Sequence, residues 1–238
     1  MFSRNSGRKT ATHFSWNCLE RGLRTVYLDG IVDNEFPNFA ALKAAKTENV
    51  DYRIVVRRGA RTGGAIVMAP HGGKIEPRTS LITETIAGRD LDMYCFEGLM
   101  PESNRELHIT SRNFDEGTAL ELLRTKSIVV AIHGRQDRDD PSTVYMGGKD
   151  AALVSQIAWR LQEAGFQTQK DNHPFPGIQD SNIVNRGLTG KGAQLEVPFS
   201  LRRRLGNEQE LLERFCGAVR QAIEIFDAQN GAQSWAVS

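Results

Sequence analysis

Two histidines and one glutamate in this 238-residue chain stand beside apolar runs, and their types are those of metal ligands. His71 follows Ala65-Ile66-Val67-Met68-Ala69 and opens the stretch His71-Gly72-Gly73-Lys74-Ile75-Glu76. The apolar run reads as a buried strand that Pro70 ends, which places His71 just past the strand's carboxyl end. Two glycines let the backbone turn tightly, and Glu76 arrives on the far side. A second apolar run, Ile128 to Ile132, closes with His133 and Gly134. Two imidazoles and a carboxylate at strand ends match a catalytic zinc site, in which three protein ligands leave one position open for water. They also match ordinary polar residues at loop starts, and spacing alone leaves both readings open.

Other chemistries have weaker support. The chain has no GxSxG elbow for a serine nucleophile. Cys95 lies inside an apolar strand pattern, as a core thiol does. Gly187 to Gly192 (GLTGKG) is glycine-rich, but Lys191 is followed by glycine and the segment leads into a strand, unlike a phosphate-binding loop. Glu196 sits in the strand-like run Gln194-Leu195-Glu196-Val197. Burial there would raise its pKa and suit it to general-base work, whereas exposure on a polar strand face is the simpler reading. His108 is a further polar residue between apolar neighbours, while His13 and His173 carry no motif. Arg202-Arg203-Arg204 reads as a solvated charge run, with contact to an acidic substrate as the alternative.

The elements that must position these residues show in the periodicity. Helical spacing runs through 36–49, 79–87, the segment after Asp115, 151–164 and from Glu208 to about Gln229, with Thr79 and Asp115 as expected caps. Strand patterns at 52–56, 65–69, 91–96, 127–132, 144–146, 166–169 and 193–197 alternate with the helices. Two of these strands are apolar on both faces. The pattern predicts an α/β fold: a single open, largely parallel or mixed sheet with helices on both faces. Such sheets bind ligands beyond the carboxyl ends of their strands, where His71 and His133 lie.

A net charge of +1 argues against nucleic acid as a partner. The three cysteines are far apart and form no CxxC pair, which fits a reducing compartment. No run approaches the roughly 18 apolar residues of a membrane span. Residues 1–25 carry Arg4, Arg8, Lys9, Arg21 and Arg24 against one acid, Glu20, without the apolar core of a secretion signal. The expectation is a disordered extension over 1–30, favoured over a transit peptide, then one domain over 31–238 and a cytoplasmic location.

Taken together, the motifs resemble those of the poly-γ-glutamate hydrolase family of bacilli and their phages. They are APHGGKIEPRTS (Ala69–Ser80), LHITSRNFDE (Leu107–Glu116), VVAIHG (Val129–Gly134), VYMGG (Val144–Gly148), NIVNRG (Asn182–Gly187) and GAQLE (Gly192–Glu196). Each is short and unspecific alone; the resemblance lies in six in order. It implies a zinc-carboxypeptidase-like core, Zn2+ held by His71, Glu76 and His133, and Glu196 as the catalytic glutamate. It further implies a zinc-dependent amidohydrolase acting on γ-glutamyl amide bonds of an acidic polymer. Two alternatives stand beside it: a deacylase of small N-acyl-glutamates, and a non-catalytic, metal-stabilised binder of acidic peptides. By analogy with carboxypeptidase-type sites, Arg186 and its neighbour Asn185 are expected to bind the substrate, with Arg186 gripping a carboxylate. Lys74, where many relatives have a small residue, and the charged loop Arg135–Asp140 depart from the family pattern, and oligomeric state is left open.

Overall fold

The computed structural model describes residues 36–60 and 64–235, with side chains to 229. The expected extension over 1–30, with His13 and Cys18, lies outside the described residues. The strands are β1 (Tyr52–Arg57), β2 (Ala65–Gly73), β3 (Asp92–Gly98), β4 (Ile128–Arg135), β5 (Val144–Gly147), β6 (Thr168–Gln169) and β7 (Ala193–Pro198). The helices are α1 (Phe39–Ala45), α2 (Thr79–Ala87), α3 (Gly117–Leu123), α4 (Ala151–Glu163), α5 (Phe199–Leu205) and α6 (Gln209–Trp235). All the strands join one sheet in the order β1-β3-β2-β4-β7-β5-β6. The centre, β3-β2-β4-β7, is parallel; β1 is antiparallel to β3, and β5 is antiparallel to β7. The sheet is therefore mixed with a parallel heart.

Alternation along the central strands feeds two cores. Ala65, Val67, Ala69, Val130 and Ile132 pack with residues of α2, α4, α5 and α6, among them Ile82, Ile157, Leu205 and Phe215. Ile66, Met68, Val129 and Ala131 pack on the other face with Leu42 of α1 and Leu122 of α3, and with Leu107, Ile109 and Ile183. Burial on both faces is why these strands read as continuous apolar runs.

Pro70 does not end β2. The strand continues to Gly73, with a register shift against β3 between Ala69 and Gly72. A proline is tolerated at such a bulge because the ladder is already interrupted there. Pairing of β2 with β4 stops at Met68 and Ala131, whereas β4 and β7 stay paired to Arg135 and Pro198. Strand order also reverses here, since β2 leads to β3 on one side and β4 pairs β7 on the other. The two strands part, and His71 and His133 stand at the crevice.

The caps differ from expectation as well. Thr79 is the first residue of α2, behind Arg78 at φ +80°, and its hydroxyl bonds the carbonyls of Glu76 and His71. Glu116, not Asp115, caps α3, because its buried carboxylate reaches the N–H groups of Thr118 and Ala119 as well as the Tyr94 hydroxyl. Asp115 instead accepts the N–H of Phe39 at 2.7 Å. Among the described residues no helix is long and apolar enough to cross a membrane.

Candidate metal centre

The turn after β2 folds Glu76 back onto His71: the Glu76 N–H donates to the His71 carbonyl at 3.0 Å. Glycine is required at Gly73 and favoured at Gly72. Gly73 has φ +62°, and a Cβ on Gly72 would lie 2.4 Å from the Ser80 hydroxyl. Lys74 does not sit as an open cation beside this turn, because its ammonium donates to the carbonyls of Leu99 and Met100.

His71, Glu76 and His133 converge, each with one donor atom within 4.8 Å of the others. The two Nδ1 atoms are 3.2 Å apart, and His71 Nδ1 is 3.3 Å from Glu76 Oε1. Two ligands bound tetrahedrally at zinc distances stand roughly 3.3 Å apart, so both edges fit that ion. The far sides of the rings are engaged. His71 Nε2 lies 2.7 Å from the Ile109 carbonyl and donates to it, which leaves Nδ1 as the nitrogen that faces Glu76 and His133. His133 Nε2 lies 3.4 Å from the Ser111 hydroxyl. Glu76 Oε2 accepts the Gly134 N–H at 2.7 Å.

Burial works against a charged Glu76, but the neighbouring His71 imidazole and then that of His108 outweigh it and hold the carboxyl well below its usual range. Burial, and then His71, push His133 down to about 3, so its ring is neutral, as a ligand must be.

Glu196 sits in register beside His133 on one side and Tyr145 on the other. Ala193, Leu195 and Val197 fill the opposite core, so Glu196 shares the sheet face of His133. It is buried rather than exposed, with Gln194 Nε2 donating to it at 3.3 Å. Burial first and the Glu76 charge second push its pKa up to about 8, against the pull of Arg135 and Arg202. A carboxyl with a raised folded pKa holds its proton more tightly in the native state. Native stability therefore falls as pH rises from 4.5 to about 8. In metal-free protein, denaturant unfolding should show Glu196→Gln free of this component, which is on the order of 2–5 kcal/mol across the window. Identical pH slopes for the two proteins would contradict a neutral buried Glu196.

Asn185 ends the 3-10 turn Ile183–Asn185 and Arg186 follows it; the Ile183 N–H bonds the Ser111 carbonyl. The Asn185 amide is fully used within the chain: it donates to the carbonyls of Gly177 and Gln179 and accepts from the N–H groups of Lys149 and Gly192. It is a strut between loops, which leaves no group on it for a substrate. Asn185→Ala should cost about 3 kcal/mol in denaturant unfolding, since buried backbone groups lose their partners; a loss under about 1 kcal/mol would show that the loops hold without it. Arg186 is exposed; its N–H bonds the Ile183 carbonyl at 3.1 Å, and its guanidinium makes no hydrogen bond or ion pair with the described residues.

The arginine run divides. Arg203 and Arg204 are exposed, as read, but Arg202 is buried and donates to the carbonyls of Val197, Pro77 and Arg135 beneath the centre. A Cβ on Gly134 would strike its guanidinium, so the glycine after His133 signals this approach. His173 stacks on Tyr145, and Cys95 is a core thiol that burial pushes up to about 12.

A family model described as poly-γ-glutamate hydrolase matches residues 36–220. The chain belongs to this family. The protein YndL of Bacillus subtilis (strain 168) is 34% identical over 176 residues, covering 73% of this chain and 67% of YndL. A solved bacteriophage poly-γ-glutamate hydrolase superposes with a TM-score of 0.75 at 30% identity, over 87% of this chain and 100% of that one. YndL itself, solved as a zinc-free apo form, gives a TM-score of 0.73 at 30% identity, over 81% of this chain and 98% of that one. An N-formylglutamate amidohydrolase from Ralstonia eutropha shares the fold at 10% identity, with a TM-score of 0.51 over 74% of this chain and 99% of that one. The poly-γ-glutamate hydrolase family thus supplies the frame in which His71, Glu76 and His133 converge.

Proposed function

We propose that this protein is a zinc-dependent amidohydrolase that cleaves γ-glutamyl amide bonds, with poly-γ-glutamate as its substrate. The observation that carries the reading is the convergence of two histidine Nδ1 atoms and a carboxylate at zinc-like spacing. Family membership and the zinc-free form of YndL support it. His71, Glu76 and His133 would hold the ion. When bound, zinc supplies Lewis-acid chemistry, polarising a carbonyl and acidifying water. Glu196 takes the proton of the attacking water on its carboxylate and delivers it to the leaving nitrogen as the amide C–N bond breaks. Arg186 binds a substrate carboxylate through its guanidinium.

The test compares γ-linked with α-linked polyglutamate. New amino groups should appear, and chain length fall, for the γ-linked polymer alone. Cleavage of N-acyl-glutamates with the polymer intact would instead favour the deacylase, and binding without cleavage the non-catalytic reading.

A further inference from the structure

His108 has no part in the mechanism above, yet it touches two of the three candidate ligands. It closes the 3-10 turn Asn104–Leu107, its N–H bonded to the Arg105 carbonyl at 3.1 Å. Leu107 and Ile109 on either side are fully buried, which fixes the direction of the intervening side chain. The ring lies over that of His71, with centroids 3.9 Å apart and planes inclined by 32°. Its Nε2 is 3.5 Å from Glu76 Oε1. The other carboxylate oxygen of Glu76 is already held by the Gly134 N–H.

We propose that His108 is a positioning residue for the metal centre: its ring braces His71 while its Nε2–H holds the second oxygen of Glu76. The proposal rests on His71, Glu76 and His133 being metal ligands. A glutamate anchored at one oxygen can still swing about its last, broad torsion. A second anchor removes that freedom, so the donors stay converged before an ion arrives and less ordering is required on binding. Partners of this kind typically contribute about 10–100-fold in metal affinity. His108 is not itself a ligand, for the set of mutually close donor atoms comprises His71, Glu76 and His133 among the described residues.

The experiment measures zinc affinity by competition with a chelator, and the absorption spectrum of Co2+-substituted protein. His108→Phe keeps a ring over His71 and removes the N–H. It should bind zinc about 10–100-fold more weakly, and once saturated with cobalt should retain the wild-type bands. His108→Ala should lose at least as much and His108→Gln, which restores an N–H donor, should regain part of it. This second pair decides the matter where the phenylalanine variant does not fold. Wild-type affinity in both Phe and Ala variants would overturn the proposal. Altered cobalt bands in all the variants would make His108 a ligand and overturn it equally. A wild-type protein that binds no zinc would instead defeat the metal reading on which the proposal rests.

Discussion

Glu196→Gln should fold, keep its zinc and hydrolyse γ-glutamyl bonds at least about a hundredfold more slowly than wild type. The substitution preserves size and removes the basic carboxylate. Glu196 lies outside the set His71, Glu76 and His133, so zinc content should be unchanged. Gln194 donates to Glu196 now and can still donate to the oxygen of an amide. KM should move much less than kcat, because the substrate carboxylate is assigned to Arg186. Wild-type turnover with zinc still bound would remove Glu196 as the base and direct attention to another, His108 first.

The second large effect concerns the ion itself. His133→Ala should fall from about one zinc per chain to a small fraction of that, and activity should fall with it. The ring is 2% exposed and supplies one edge of the donor triangle, so its loss leaves a cavity with two donors. Thr or Ser at this position cannot restore the nitrogen. Full zinc occupancy in the alanine variant, measured by elemental analysis, would take His133 out of the coordination shell.

Much of this architecture is legible before any coordinates. Periods of two and 3.6 residues mark the strands and helices because burial selects alternate strand faces and helix stripes. His71 and His133 are conspicuous because each adjoins an apolar run in a strand buried on both faces. Glu76 is found through its glycine turn, which permits the return. What stays hidden depends on contacts between distant segments. Nothing around Pro70 tells that β2 continues through a bulge, since that is decided by pairing with β3. Arg202 looks like its neighbours in a basic run, and only the carbonyls of Pro77 and Arg135 make it an interior residue. Asn185 likewise reads as a site residue beside Arg186, but the four backbone groups that use up its amide come from the segments around Lys149, Gly177 and Gly192. The capping carboxylate of α3 is misplaced by one residue because Tyr94 draws Glu116 inward.

Zinc dependence of γ-glutamyl hydrolysis is the centre of the account, and one titration addresses it. Chelator-stripped protein is incubated with poly-γ-glutamate while zinc is added in sub-stoichiometric steps and new amino groups are counted. Cleavage should be negligible without metal, rise in proportion to zinc, and plateau at about one ion per chain. Full-rate cleavage by the stripped protein, or no cleavage at any zinc level by a folded protein that has taken up the ion, would contradict it.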